Sequence, residues 1–130
     1  MKKVLLVVGL ILIGASILAY ILKAEIEQGV SDGYAYAQTH AQGDCVESAL
    51  KRLTPDIGMS DRMEILVFSR ACLQRASHDP EYCRQIPANV FEAHRFIADQ
   101  CARFGRDHKT CEKVIQYSAS ACAGSLPGMR

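Results

Sequence analysis

The chain has 130 residues, a formal net charge of +1 and six cysteines. From Ala24 onward it carries 12 lysine and arginine residues against 14 aspartate and glutamate residues, and the basic ones are scattered. Binding of nucleic acid needs a concentrated positive surface, so the composition argues against a nucleic acid partner.

The first element is an apolar segment, Val4 to Leu22, which runs for 19 residues without a charge. A helix of that length spans about 28 Å, close to the ~30 Å thickness of the hydrocarbon layer. A cleaved signal peptide is the alternative, but candidate cleavage sites after Ala19 and Ala24 place Ile17 and Leu22 where a small residue is favoured. The sequence therefore predicts that residues 1–23 form an uncleaved transmembrane signal-anchor.

Flanking charges predict how the anchor is oriented. Lys2 and Lys3 precede the segment, whereas Lys23 is followed by Glu25 and Glu27. Lysine and arginine favour the cytoplasmic side. We therefore expect a single-pass membrane protein with a cytoplasmic N-terminus and a periplasmic or extracellular C-terminal domain.

The remainder divides into a linker, a domain and a tail. Residues 24–33 are mostly polar with little apolar periodicity, which predicts a linker. Residues 34–124 form the predicted helical domain, and residues 125–130 a frayed tail. Apolar residues recur every three or four positions from Tyr34 to Leu53, so one helix is expected there, with a possible break at Gly43.

Further helix signals follow along the domain. Asp61 and Glu64 have the spacing of a capping box at the start of a helix that is apolar almost all round. Asp79-Pro80-Glu81 starts a short helix, another runs from about residue 88 to Gly105, and Asp107 is the predicted cap of the last one. Strand signals are absent. The expected fold is all-α, with a small bundle of about five helices after the transmembrane helix.

All six cysteines follow the apolar segment, and this placement predicts a disulfide framework in an oxidising compartment. Two similar units, each with a cysteine near a helix end, a polar turn, an aspartate and a second cysteine, favour the pairs Cys72–Cys83 and Cys101–Cys111. Cys111 and Cys122 lie about 16 Å apart on one helix, too far to bond. The remaining pair would be Cys45–Cys122.

Sequence motifs for catalysis and cofactor binding are weak. The closest cysteine spacing has nine intervening residues, which is unlike the Cys-x-x-Cys of thiol redox enzymes. His40, His78 and His108 each precede a cysteine, but oxidised cysteines do not ligate zinc. We predict no catalytic residues, no metal site and no cofactor.

The favoured function is a non-enzymatic protein-protein interaction module, accessory subunit or inhibitor, held at the membrane through Val4 to Leu22. Its protein partner is not identified by the sequence. The alternative is a domain that binds a small ligand or cell-wall fragment in a cleft lined by Tyr34, Tyr36, Phe91 or Tyr117. A small hydrolase is a third, less favoured class.

Overall fold

The computed structural model describes residues 1–126. It is 81% helical, and its described residues contain no strand. The α-helices of this part are α1 (Lys2–Ala37), α2 (Gln42–Lys51), α3 (Met59–Arg75), α4 (Pro80–Gln85), α5 (Val90–Cys101) and α6 (His108–Cys122), and a 3₁₀ segment, Ala102–Asp107, joins the last two. The predicted all-α fold, with a long apolar helix followed by a disulfide-stapled bundle, is confirmed.

Helix α1 is continuous for 36 residues, so residues 24–33, predicted to be a linker, are part of this helix. Gly29, Gly33 and Ala37 recur every fourth residue and are the buried residues of this helix. A Cβ at Gly33 would lie 2.6 Å from the carbonyl oxygen of Phe68. These positions bring the backbone of α1 close to α3. The contact is made by small residues, so it produces no periodic pattern of large apolar side chains in the sequence.

Helices α1 and α3 lie side by side and run in the same direction. The Ser60 hydroxyl donates to Glu25 Oε2 (2.6 Å), and Tyr34 donates to Gln74 Oε1 (3.4 Å). The later parts of both helices therefore meet each other, as do the earlier parts. Helix α1 before Glu25 extends beyond the bundle, and its large apolar side chains are exposed.

The expected helix over residues 34–53 is broken before Gly43, at the turn between Ala37 and Gln42. Gly43 itself lies in the first turn of α2, where a Cβ would be 2.8 Å from Asp79 Oδ2 and 3.2 Å from Tyr82 Cβ. The glycine thus allows α4 to approach α2 closely and does not end a helix.

Of two predicted helix caps, one is present as predicted and the other is different. Asp79 caps α4 as predicted and accepts the Tyr82 backbone N–H at 3.0 Å. Asp61 instead accepts the Gly58 backbone N–H at 3.1 Å, because α3 begins at Met59 and places Asp61 at its third residue. The predicted box between Asp61 and Glu64 was therefore wrong.

The predicted capping role of Asp107 was also wrong. Its side chain makes no cap hydrogen bond to α6. The carboxylate is buried and lies 2.6 Å from Nε of Arg62 on α3. The Asp107 carboxylate therefore pairs with the guanidinium of Arg62 on α3 and does not accept the backbone N–H groups at the start of α6.

The core lies where α2, α3, α5 and α6 meet. Phe68 and Leu73 of α3 and Val114 of α6 are among its largest fully buried side chains. Leu126, which fell within the predicted frayed tail, is buried and packs against this core, so the tail prediction was wrong at that residue. Residues 127–130 of that tail lie outside the described part of the chain.

The disulfides follow a different pairing from the predicted one. The bonds are Cys45–Cys72, Cys83–Cys122 and Cys101–Cys111, with Cα separations of 5.8, 5.5 and 5.6 Å. Only the last was predicted correctly. The predicted pairs Cys72–Cys83 and Cys45–Cys122 assumed that α4 folds back beside α3. Helix α4 instead contacts α2 and α6, so Cys83 meets Cys122 and leaves Cys72 facing α2.

Candidate interaction groove

A groove of about 660 Å³ lies between α2 and α5. Helix α2 forms one wall, and α5 with the 3₁₀ segment forms the other. Tyr82 and Gln85 of α4 also line it. Ile115 of α6 contributes to the floor.

Each wall is fixed by a disulfide to a helix of the core. Cys45 joins α2 to α3, Cys83 joins α4 to the end of α6, and Cys101 joins α5 to the first turn of α6. Covalent links at these three places restrict movement of the walls. A preorganised site loses less conformational freedom on binding, so the groove suits recognition of a partner without rearrangement.

The floor of the groove is apolar. Val46, Leu53 and Ile115 are buried within it, and Phe96 and Phe104 are partly buried against the same core. The two phenyl rings are therefore accessible at the surface while their other faces are held. Such part-buried rings offer apolar contact area to a ligand. Their side chains have already lost conformational entropy on folding, so little more is lost on binding.

The rim of the groove is charged. Lys51 Nζ and Glu47 Oε1 form an exposed ion pair, and the hydrogen bond that Lys51 donates to the Glu47 carboxylate raises the pKa of Lys51. The guanidinium of Arg103 lies 4.9 Å from the centroid of the Phe104 ring. No carboxylate of the described residues pairs with Arg103, so its charge is open to an incoming group.

Tyr82 connects the lining of the groove to the core. Its hydroxyl hydrogen-bonds to Ser118 Oγ at 2.8 Å, and Ser118 in turn donates to the carbonyl oxygen of Ile115 at 2.7 Å. Burial raises the pKa of Tyr82, because the charged phenolate would be poorly solvated there. Because Ser118 uses its own hydrogen in the bond to Ile115, the Tyr82 hydroxyl is the donor to Ser118.

The aromatic residues that were predicted to line a cleft are not brought together. Tyr34 lies under the guanidinium of Arg75, Tyr36 stacks on His40 with a centroid distance of 3.7 Å, and Phe91 is 86% exposed. Tyr117 packs against the core. None of these four lines the groove.

The groove side chains of Phe96, Gln100 and Phe104 were not predicted from the sequence. They recur every fourth residue, beside the stripe of Ile97 and Cys101 that faces the core. This second stripe is the sequence signal that could have identified the wall of the groove formed by α5 and the 3₁₀ segment. Its opposite wall depends on how α2 packs, which local spacing does not reveal.

The histidines and cysteines do not assemble into a metal-binding cluster within residues 1–126. His40 Nδ1 lies 2.9 Å from the carbonyl oxygen of Tyr36, and His108 Nδ1 lies 2.9 Å from that of Gly105. Both rings are thus engaged with the backbone near their own position.

No model of a protein family matches this chain, and no match was found among curated proteins or among solved structures. The groove, the disulfides and α1 are therefore the basis for assigning a function.

Proposed function

We propose that the protein is a membrane-anchored interaction module whose helical domain lies outside the cytoplasm and binds a protein partner through the groove. In this proposal Val4 to Leu22 crosses the bilayer with Lys2 and Lys3 on the cytoplasmic side. The length and apolar composition of α1 support the span. The three disulfides support an oxidising compartment, periplasmic in a bacterium.

The observation that carries the binding role is the combination of a covalently fixed groove and a cation at its rim, Arg103, that forms no ion pair with a carboxylate of residues 1–126. The floor offers Phe96, Phe104 and aliphatic side chains for apolar contact. Arg103 offers a guanidinium that suits a carboxylate, since its planar fork matches the two carboxylate oxygens. The preferred partner is therefore a protein segment with one or two large apolar side chains next to an aspartate or glutamate.

A charge reversal tests this proposal. Full-length protein is crosslinked in its native membranes, and recovery of each copurified protein is quantified by mass spectrometry for the wild type and for Arg103→Glu. The matched control is Arg95→Glu, an exposed arginine of the same wall that does not line the groove. A partner lost at least about tenfold with Arg103→Glu and retained with Arg95→Glu supports the proposal. Equal recovery from both variants contradicts it.

A small ligand or cell-wall fragment is the second candidate occupant, and the size of the groove favours it. The volume of about 660 Å³ lies within the range of about 300 to 1,000 Å³ that is typical of small-molecule sites. Gln85 and Gln100 add amide donors and acceptors at its surface. Soluble peptidoglycan fragments that shift the NMR signals of groove residues in the wild type, and not in Arg103→Glu, would favour this occupant over a protein segment.

A further inference from the structure

The position of α3 relative to α1 determines where the bundle sits with respect to the apolar segment. Because the two helices run in parallel and Ser60 contacts Glu25 at 2.6 Å, the first turn of α3 lies at the level of Glu25 along α1. Glu25 is three residues beyond Leu22, or about 4.5 Å along the helix axis. We call residues 58–63 the base of the bundle.

The base lies within the thickness of a lipid headgroup layer. A bilayer of about 40 to 45 Å with a ~30 Å hydrocarbon core leaves about 5 to 7 Å for the headgroups on each side. With α1 in the membrane and Leu22 at the hydrocarbon boundary, Met59 is at the level of Ala24, about 3 Å above that boundary. Tyr20 is exposed close to the boundary, where an aromatic ring is favoured.

Two large apolar side chains of the base are exposed to different degrees. Met59 is 80% exposed and Met63 is 48% exposed, and their spacing of four residues places them on one face of α3. The Cα–Cβ bonds of a helix tilt toward its N-terminus. Because the N-terminus of α3 faces the apolar segment of α1, both methionines lean toward the bilayer.

We propose that the base rests in the headgroup layer of the membrane that α1 crosses, with Met59 and Met63 in contact with lipid. This inference relies on the membrane span of the proposed function and goes beyond it, because it assigns a second membrane contact to the domain itself. The contact is apolar. Arg62 is engaged by Asp107, and Asp61 is acidic, so anionic lipids are not needed.

Single tryptophans test the contact, because the chain contains no tryptophan of its own. Met59→Trp is compared with Val90→Trp in full-length protein reconstituted into nanodiscs of phosphatidylcholine, with or without bromine atoms near the top of the acyl chains. Val90 is 79% exposed, which matches Met59. It lies 11 residues before Cys101, about 16 Å along α5 from the start of the 3₁₀ segment, whose Asp107 contacts Arg62 of the base.

We expect bromine to reduce the Met59→Trp emission at least about twofold, as for an indole at the membrane interface. The Val90→Trp emission should be unchanged, and neither result should depend on salt. Equal emission of Met59→Trp with and without bromine overturns the inference. So does quenching of Met59→Trp that disappears at high salt, because the contact would then be electrostatic.

A third variant separates the inference from the membrane span. Ile13→Trp reports α1 itself, and bromine placed deeper in the acyl chains should quench it strongly. Quenching at Ile13→Trp without quenching at Met59→Trp refutes the base contact and leaves the span intact. If neither is quenched, both proposals fail.

The native side chain gives an independent measurement. Hydrogen peroxide oxidises accessible methionine to the sulfoxide. In nanodiscs of the wild type, we expect Met59 to oxidise at least about fivefold more slowly than free methionine in the same sample, in spite of its 80% exposure in the isolated chain. An equal rate contradicts lipid cover and cannot be attributed to a substituted tryptophan.

Discussion

The buried carboxylate of Asp107 lies 2.6 Å from Nε of Arg62 and joins the start of α6 to the start of α3. Asp107 is only 2% exposed, whereas Arg62 is partly open to solvent. The pair holds together the end of the bundle that lies closest to the apolar part of α1. It therefore contributes to both the stability and the orientation of the domain.

Asp107→Asn should lower the free energy of unfolding by about 1 to 3 kcal/mol, because it removes a charge-assisted hydrogen bond within the structure. Arg62 can still reach water, which keeps the loss below that of a fully buried pair. Urea unfolding followed by circular dichroism measures the change with the disulfides intact. Asp99→Asn, at an exposed aspartate of α5, is the control and should have no measurable effect. Equal stability of the two variants would show that the pair contributes nothing.

Gly33→Ala should destabilise the contact between α1 and α3 by about 1 to 3 kcal/mol, because the added Cβ overpacks a fitted interface. It would meet the backbone of α3 at Phe68 and Cys72. Gly29→Ala should cost less, since its closest contact is a Val67 methyl group at 3.2 Å. Gly14→Ala, with nothing within 4 Å, should be neutral or slightly stabilising. Thermal unfolding of the full chain in detergent gives the order, and a larger loss at Gly14 than at Gly33 would contradict it.

Peptide mapping under non-reducing conditions should recover Cys45 linked to Cys72, Cys83 linked to Cys122, and Cys101 linked to Cys111. Lysine or arginine residues separate all six cysteines, so tryptic digestion can distinguish the pairings. A peptide that links Cys72 to Cys83 would refute the packing of α4 between α2 and α6.

Reduction of the three disulfides should unfold the helical domain. On the chain-entropy model, the sequence separations of 27, 39 and 10 correspond to contributions of about 3.5, 4 and 3 kcal/mol, which are upper bounds. Their sum is comparable to the whole stability of a typical domain, about 5 to 15 kcal/mol. Circular dichroism with excess reductant measures the helix content and the melting temperature. Unchanged values of both would contradict this prediction.

The stability of the domain should fall above pH 10 through ionisation of Tyr82. Its pKa is raised by burial, so the phenol ionises at lower pH in the unfolded chain than in the folded one. The unfolded state then binds fewer protons, and the free energy of unfolding decreases as pH rises from about 10 to the folded pKa. Below about pH 10 the contribution is fully present.

Tyr82→Phe tests this pH dependence. It should remove part of the alkaline loss and lower the stability at pH 7 by about 1 kcal/mol, because the hydrogen bond to Ser118 is lost. Tyr34→Phe is the control. Absorbance of tyrosinate near 295 nm, measured together with urea unfolding, separates the two effects. An identical alkaline profile in wild type and Tyr82→Phe would show that another group controls it.

Some parts of the fold could be predicted from local sequence. The apolar helix, the all-α class and the start of α4 at Asp79-Pro80 depend on composition, periodicity and capping chemistry within a few residues. The pair Cys101–Cys111 also depends on a short connection, because the positive φ of Gly105 turns the chain back within ten residues.

Other parts could not be predicted because they depend on contacts between distant segments. The continuation of α1 through residues 24–33 depends on Gly29 and Gly33, which look like linker residues until α3 packs against them. The two other disulfides depend on the direction that α4 takes after Pro80. The groove depends on the packing of α2 and of α5 against α6, so its aromatic residues were not recognised as a site.

Because α1 is one continuous helix from Lys2 to Ala37, a tilt or rotation of its apolar segment also moves the bundle that packs on its later part. Ala37 lies 15 residues beyond Leu22, so a tilt of about 20° in the bilayer displaces the far end of the bundle sideways by about 8 Å. A rotation of the apolar segment about its axis would turn the groove through the same angle. Under the proposed function, bilayer thickness influences the tilt of the spanning helix and would thereby set the direction in which the groove faces the proposed partner.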